Sequence, residues 1–318
     1  MGDVRCLLPS YSYIPEILGY LADHIGGYDH SFVLNRNDLY LLCPFIVAQS
    51  RIELGTDINM PAPCFVGKGS RRDQRMLLDD YFELVDNEVK YACGGKAVAQ
   101  QMCIDPYLIG QAYVLRAFLE KCFSANVRFT SLVDLTQDTE QLRKAIRKRY
   151  WEYIRAMNKK YDVTFSTETG MSESIFDDWS TLYSLVRKRG KKPVSGVSFK
   201  LLKTAMDQGH LIIASLYSDN KLLSAVELIY AGERAAYLHG ATHPEQEGQE
   251  ALSHLLIWES ILVLKKLGVQ YLELGPIIFK GCSTTKGIGK EESVSHFKKG
   301  FGGRIVPVIV LEKSYGDC

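Results

Sequence analysis

Three strand-like segments between residues 210 and 241 constrain the fold of this chain more than any other feature. The segments are His210–Tyr217, Leu222–Tyr230 and Ala235–Ala241, and turn-forming residues separate them at Ser218–Asn220 and Ala231–Glu233. Apolar residues dominate each segment, and the turns between them are short. Strands joined in this way pair with their neighbours in antiparallel fashion. The sequence therefore predicts a three-stranded antiparallel meander.

Helical patterns precede and follow the meander. In DLTQDTEQLRKAIRKRYWEYIRAM, Asp138 is a candidate N-cap with Gln141 three residues later, as in a capping box. Apolar residues then recur on one stripe as far as Met157, which predicts one continuous amphipathic helix over Asp138–Met157. The remaining patterns predict helices over Phe176–Val186, Phe199–Met206 and Gln249–Leu267, and strands over Val269–Leu274 and Ile305–Leu311.

The first part of the chain carries a weaker pattern. It predicts strands over Phe32–Leu34 and Tyr40–Val47 around a turn at Asn35–Asp38, and helices over Met76–Val85 and Ile109–Cys122. The chain has 318 residues, which exceeds the size at which a single hydrophobic core usually stops growing. We therefore expect two lobes, residues 1–133 and residues 134–318.

Composition excludes several classes of protein. The formal net charge of +1 lacks the strongly basic balance of a dedicated DNA-binding protein, although a local basic stretch could hold a phosphate or a tRNA acceptor end. No signal peptide is evident, and no apolar stretch approaches the ~20 residues of a membrane span. The eight cysteines lack the paired spacing of metal ligands. We expect a cytoplasmic protein with reduced thiols and without a metal or another cofactor.

The order of predicted elements, together with four sequence motifs, resembles a known family. Helix, helix, three antiparallel strands, helix, strand, loop and strand is the order of the GNAT acyltransferase core. Motifs typical of the FemAB-like aminoacyltransferases follow one another as DLTQD at 134–138, YLHGAT at 237–242, LLIWESILVLKKLGVQYLELGP at 255–276 and FKKGFGG at 297–303. The resemblance implies an α/β (α+β) fold with two GNAT-like lobes, each a mostly antiparallel mixed sheet with flanking helices. It places the chemistry in the second lobe.

The FKKGFGG segment contains a candidate catalytic lysine. A lysine held between aromatic rings and a glycine turn can direct its ammonium group at the oxyanion that forms when an acyl carbonyl is attacked. The resemblance implies that Lys298 has this role. The alternative is a solvated lysine at the end of a helix, and we assign Lys299 to the surface.

Two arginines near residue 190 are candidates for binding a substrate phosphate. Arg187 and Arg189 belong to the densest basic run of the chain, and the planar guanidinium group suits bidentate contacts with phosphate. The resemblance implies contact with the phosphates of a nucleotide-sugar acceptor. The alternative is a solvated charged loop, which is the usual meaning of such a run.

Three further residues on predicted strands could take part in the reaction. His239 ends the third strand of the meander, where a neutral imidazole could accept a proton from an attacking amine. Glu227 and Glu273 lie on apolar strands, where a carboxylate needs a partner, so both are candidates for binding an amino group. A histidine satisfied within the core and a solvated Glu227 remain alternatives.

The donor is constrained by the segment before the helix at Gln249. GNAT enzymes that use acetyl-CoA hold its pyrophosphate on a loop with a basic or amide residue and small residues. The corresponding segment here, Glu245–Ala251, contains three glutamates that would repel a pyrophosphate. The resemblance to the FemAB-like enzymes implies that an aminoacyl group from aminoacyl-tRNA is transferred to an amine of a peptidoglycan precursor or an amino-sugar nucleotide. The alternatives are an N-acyltransferase that uses acyl-CoA or acyl carrier protein on an amino sugar, and a binding module without catalysis.

Overall fold

The structure, a computed structural model, divides into two units. One unit comprises Met1–Arg128 and Pro307–Cys318, and the other comprises Phe129–Val306. The residues that the structure describes are 10–24, 26–48, 61–93, 98–104, 111–167, 172–190, 196–246, 248, 251–279 and 288–315. That residues 1–133 and 134–318 are separate domains stays a prediction.

The first unit combines helices with short strands. Its elements are α1 (Pro15–His24), β1 (Gly27–Asp29), β2 (Phe32–Arg36), β3 (Leu39–Cys43), β4 (Ile46–Ala48), β5 (Cys64–Gly67), α2 (Arg71–Cys93), β6 (Val98–Ile104) and α3 (Gln111–Glu120). Strands β2, β3 and β5 form an antiparallel sheet, and β1 pairs with β4. The predicted turn between the first two long strands is present, with Asn37 at a positive φ of 52°. Leu41, Tyr81 and Phe118 are buried at the centre of this unit.

The second unit is built around a larger sheet. From residue 124 onward the elements are β7 (Ser124–Asp134), α4 (Thr139–Ala145), α5 (Lys148–Met157), β8 (Val163–Phe165), α6 (Ser172–Arg189), α7 (Gly196–Asp207), β9 (Leu211–Ser218), β10 (Lys221–Ala231), β11 (Arg234–Thr242), α8 (Leu252–Lys266), β12 (Tyr271–Pro276), α9 (Ile288–Lys298) and β13 (Arg304–Tyr315). The start of β7, as far as Arg128, and β13 from Pro307 onward belong to the first unit. The strand order here is β7, β12, β11, β10, β9, β8, with antiparallel neighbours except for the parallel pair β11 and β12. The predicted fold class is confirmed.

The meander β9, β10 and β11 forms as the sequence predicts. The first turn places Asp219 and Asn220 at positive φ values of 50° and 61°, which short polar residues tolerate. Strand β11 then pairs with β12 over Arg234–Ala236 and Tyr271–Glu273. Both strands continue beyond these pairs, so the pairing of β11 with β12 ends at Ala236 and Glu273 while the strands run on to Thr242 and Pro276. The end of pairing between two neighbouring strands makes this place a candidate for a site.

Helices cover both faces of this sheet. On one face, Val226, Leu228 and Ala235 belong to the same core cluster as Ile154 of α5 and Trp258 of α8. Helix α6 covers the opposite face and contacts β9, β10 and β11. None of the helices in the described ranges is long and apolar enough to cross a membrane.

The predicted continuous helix over Asp138–Met157 is wrong, because two helices occupy this range. The capping box at its start is present: the Gln141 backbone N–H donates to Asp138 Oδ1 at 2.7 Å, and the Asp138 N–H donates to Gln141 Oε1 at 3.0 Å. The chain then becomes extended at Ile146 and Arg147, with ψ values of 138° and 135°. The Arg147 N–H donates to the Gly300 carbonyl at 3.0 Å instead of to a carbonyl of its own helix. A tertiary hydrogen bond therefore replaces a helical one.

A histidine connects α5, α8 and the FKKGFGG segment. The ring of His254 on α8 lies 4.3 Å from that of Tyr150 and 5.3 Å from that of Tyr153, and 5.1 Å and 6.0 Å from those of Phe297 and Phe301. Both its ring nitrogens are buried without a hydrogen-bond partner among the described residues. Burial lowers the pKa of His254 to about 4, so the imidazole is neutral near pH 7. The FKKGFGG segment is thus held by ring packing.

We expect Gly302→Ala to destabilise the protein more than Gly268→Ala. Both glycines have a positive φ, 78° and 82°, which costs an alanine about 1 kcal/mol. A Cβ at Gly302 would lie 2.5 Å from the Cβ of Ala145 and 2.9 Å from its backbone, whereas nothing lies within 4 Å of one at Gly268. Overpacking against the backbone should add about 2 kcal/mol to the loss. Urea unfolding measures both variants, and equal losses would contradict the proposed clash.

We expect His254→Phe to make the protein less sensitive to acid. Because the folded-state pKa is about 4, below the ordinary 6.5, the unfolded chain takes up a proton that the folded protein does not. The stability contributed by the neutral ring is therefore present above pH 6.5 and is lost as the pH falls from 6.5 towards 4. Melting temperatures at pH 7.5 and pH 5.0 should differ less in the variant than in the wild type. An equal difference in both proteins would exclude His254 as the source.

Candidate active site

Glu227 and His239 form a hydrogen-bonded pair in the centre of the sheet. They are paired residues of the neighbouring strands β10 and β11. Nδ1 of His239 lies 2.6 Å from Oε2 of Glu227. The Glu227 side chain has no exposed surface, and that of His239 retains 14% exposure. The carboxylate is thus shielded from solvent, whereas the imidazole remains partly accessible to solvent.

A β-bulge determines the direction of the His239 side chain. Glu227 pairs with His239, but the next residue of β10, Leu228, pairs with Tyr237. Leu238 is therefore an extra residue in β11. Because paired residues project to the same face and successive residues to opposite faces, His239 and Tyr237 project to opposite faces. Without the bulge, His239 and Tyr237 would project to the same face of the sheet.

Glu273 projects to the same face as His239. It pairs with Ala236 of β11, which lies on the His239 face because the bulge lies between them. On its other side, Glu273 Oε1 accepts a hydrogen bond of 2.8 Å from the Thr130 hydroxyl. The two carboxylates predicted from the sequence, on β10 and β12, thus flank β11 on one face of the sheet.

Helix α6 brings an arginine towards the same histidine. The Tyr183 ring lies 4.8 Å from the His239 ring. The Arg187 guanidinium lies 5.7 Å from the centre of the same Tyr183 ring. Arg187 is partly buried by this stacking, while Arg189 is exposed at the end of α6. The Tyr183 ring therefore links Arg187 to the Glu227–His239 pair.

Lys298 is buried beside a glycine of β12. Lys298 is the last residue of α9, and only 4% of its surface is exposed. A Cβ added to Gly275 would lie 2.7 Å from Nζ of Lys298, so a side chain there would displace the ammonium group. Gly275 also has a φ of +89°, a conformation that favours glycine. The ammonium group is thus placed against the backbone of β12.

Lys298 approaches β12 from the face opposite to that of Glu273. Glu273 pairs with Leu132 of β7, whereas Gly275 pairs with Ser131, and these two neighbours project to opposite faces. The space beside Gly275 that Nζ occupies lies on the Ser131 face. The site therefore has two parts: Glu227, His239, Glu273 and Arg187 on one face, and Lys298 on the other. The roles predicted for these residues stay predictions.

The acidic segment that precedes α8 is only partly described. Glu245 lies 2.5 Å from Nζ of Lys221, and this hydrogen bond lowers the pKa of its carboxyl group. The predicted repulsion of a pyrophosphate also involves Glu247 and Glu250, which lie outside the described residues. Helix α8 follows, with Ala251 as an N-cap that makes no side-chain hydrogen bond. In the described parts of the chain, no group of His, Cys, Asp and Glu side chains is arranged to hold a metal ion.

The sequence analysis missed three residues of the site. Tyr183 was assigned only to a helix, although its spacing of four residues from Arg187 is typical of side chains that stack on one helical face. Thr130 lies on β7, a strand that the sequence did not predict. Gly275 follows the predicted strand Val269–Leu274, and its role depends on a lysine 23 positions later in the sequence. A local pattern cannot reveal such a contact.

Comparison with protein families gives a match over residues 142–292. The matching family is described as an acetyltransferase (GNAT) domain, and the matched range includes the meander, α8 and β12. No curated protein matches the sequence at a significant level.

Comparison with solved structures extends the likeness to nearly the whole chain. FemX is 11% identical, with a TM-score of 0.65 over 93% of this chain and 90% of FemX. L-PGS from Bacillus licheniformis is 11% identical, with a TM-score of 0.57 over 94% of this chain and 91% of L-PGS. The C-terminal domain of a putative lysylphosphatidylglycerol synthetase from Agrobacterium fabrum is 14% identical, with a TM-score of 0.56 over 89% and 83%. The chain therefore shares the fold of FemX and L-PGS, and residues 142–292 match an acetyltransferase (GNAT) domain.

Proposed function

We propose that this protein transfers an aminoacyl group, carried by aminoacyl-tRNA, to an amine of a peptidoglycan precursor or an amino-sugar nucleotide. The observation that carries the proposal is the 2.6 Å contact between His239 and the buried Glu227, beside the place where the pairing of β11 with β12 ends. An imidazole in this position can take a proton from an amine. The fold shared with FemX and with a lysylphosphatidylglycerol synthetase agrees with aminoacyl transfer, because a lysyl group is an aminoacyl group.

The proposed reaction is an attack of the acceptor amine on the carbonyl carbon of the donor ester. A C–N bond forms, and Nε2 of His239 takes a proton from the attacking nitrogen. The ester C–O bond then breaks, and the leaving oxygen receives a proton, so that an amide and a free hydroxyl group result. His239 acts first as base and then as acid, which requires it to be neutral when the amine binds.

Lys298 is proposed to stabilise the oxyanion of the tetrahedral intermediate. Its ammonium group is desolvated, with the residue only 4% exposed, and a charge acts more strongly where water is excluded. The placement of Nζ beside Gly275 brings the group to the strand that forms one side of the opening. Packing of the FKKGFGG segment against Tyr150 and His254 holds the lysine there.

The acceptor is proposed to bind through charged groups around the same opening. Arg187 would contact its phosphate, supported by the stacking of the guanidinium on Tyr183. Arg189 would contribute a second positive charge from the end of α6. Glu273, fixed by Thr130, would accept a hydrogen bond from the acceptor amine.

A second candidate function is N-acyl transfer from acyl-CoA or acyl carrier protein to an amino sugar. The match of residues 142–292 to a family described as an acetyltransferase favours it. The negative charge of Glu245 before α8 opposes it, because a pyrophosphate bound there would be repelled.

We expect Lys298→Met to lower kcat by about 10²–10³, with acceptor affinity and melting temperature close to those of the wild type. The ammonium group meets the oxyanion only as the carbonyl is attacked, so its loss falls on turnover. Steady-state kinetics with a charged tRNA and an amine acceptor measure the effect. Lys299→Met is the matched control, since Lys299 contacts the Phe279 ring and should retain near-full kcat. A folded Lys298→Met protein with wild-type kcat would show that Lys298 does not stabilise the oxyanion and has a structural role only.

We expect acetyl-CoA to bind weakly or not at all. The glutamates before α8 repel its pyrophosphate, so the dissociation constant measured by calorimetry should not lie below the micromolar range. Glu245→Gln, which removes the described charge of this segment, should tighten any residual binding. Sub-micromolar affinity for acetyl-CoA in the wild-type protein would establish the second candidate function in place of the first.

A further inference from the structure

Glu227 presents a buried carboxylate with one side-chain hydrogen-bond partner among the described residues. Oε2 lies 2.6 Å from His239 Nδ1, while Oε1 is buried without a hydrogen-bond partner among the described residues. The side chain has 0% exposure. A substrate amine therefore finds no exposed carboxylate surface to bind. A buried charge with a single partner is costly, so its retention requires an explanation.

The carboxylate selects one tautomer of the histidine. An ionised carboxylate can only accept hydrogen bonds, so the proton of the neutral imidazole lies on Nδ1. The lone pair then lies on Nε2, the nitrogen that can accept a proton from a substrate. The direct pairing of the two residues across β10 and β11 fixes both backbones, and the Tyr183 ring 4.8 Å away packs against the imidazole.

The carboxylate also favours the imidazole more strongly once it is protonated. A charge attracts a cation more than a neutral dipole, and in a desolvated site this difference is large. The contact therefore gains strength as His239 takes the proton, which is the condition for stabilising a transition state rather than a bound substrate. Oε1 adds to the effect, because in the part of the chain that the structure describes no donor hydrogen-bonds with it.

We propose that Glu227 is a positioning residue, not a substrate ligand: it holds His239 in the tautomer with Nδ1 protonated and stabilises the imidazolium that forms during acyl transfer. This inference rests on the proposed role of His239 as the base. Under this inference, loss of the Glu227 carboxylate lowers kcat. If Glu227 bound an amino group, as the sequence suggested, its loss would instead raise the acceptor KM.

Nuclear magnetic resonance of the ¹⁵N-labelled histidine rings tests the tautomer without any substrate. The seven histidines of the chain are distinguished by assigning as His239 the signal that His239→Gln removes. In the wild-type protein near pH 7.5, we expect the Nδ1–H tautomer at this residue, and in Glu227→Gln a shift towards the Nε2–H tautomer that free histidine prefers. A wild-type signal from the Nε2–H tautomer overturns the inference, and this measurement does not depend on the folding of any Glu227 variant.

Kinetics test the consequence for turnover. Glu227→Gln should lower kcat by about 10²–10³ and change the acceptor KM less than threefold, as expected for a group that orients and stabilises a base. The double variant Glu227→Gln with His239→Gln should be no slower than His239→Gln alone, because both changes remove one function. Glu259→Gln, which changes a partly buried carboxylate on α8, is the control and should retain wild-type kcat.

Two results separate this inference from the proposed function. If His239→Gln lowers kcat but Glu227→Gln does not, or if Glu227→Gln mainly raises KM, the positioning role is wrong and His239 remains the base. If His239→Gln itself retains full kcat, the proposed function fails at its base, and the inference fails with it.

Discussion

The parallel pairing of β11 with β12 is the constraint on which the site depends. It covers only the residues from Arg234 to Ala236 on one strand and from Tyr271 to Glu273 on the other. Register shifts lie next to these pairs, at Leu238 in β11 and between Glu273 and Gly275 in β12. The shift at Leu238 places His239 on the face of Glu227 and Tyr237 on the opposite face.

The position of Lys298 depends on packing between distant parts of the chain. Gly300 accepts a hydrogen bond from the Arg147 N–H, and its missing side chain leaves room for the Tyr150 ring, which a Cβ would contact at 1.9 Å. The His254 ring completes this packing at the cost of two unpaired ring nitrogens. The break between α4 and α5 is therefore part of the arrangement that fixes the FKKGFGG segment, and it explains why a continuous helix does not form.

Fold similarity and side-chain geometry support different levels of the functional assignment. A GNAT fold shared with FemX at 11% identity establishes the architecture, and a fold alone serves many reactions. Acyl transfer agrees with the family match, but the donor and acceptor depend on the side chains around the opening. The proposed reaction depends on the Glu227–His239 pair, because we propose that this histidine is the base for the acceptor amine.

The sequence by itself determined the elements whose patterns are local. The capping box at Asp138, the meander and the helix before Gly268 form as predicted, because each depends on neighbours within a few residues. Helices α1 and α9 and strands β1, β5, β6, β7 and β8 were missed, and the contacts of His239 and Lys298 could not be derived. Only the tertiary structure decided these, because a bulge, the end of a strand pairing and a lysine beside Gly275 arise from pairing and packing between residues far apart in the chain, for which a local pattern carries no signal.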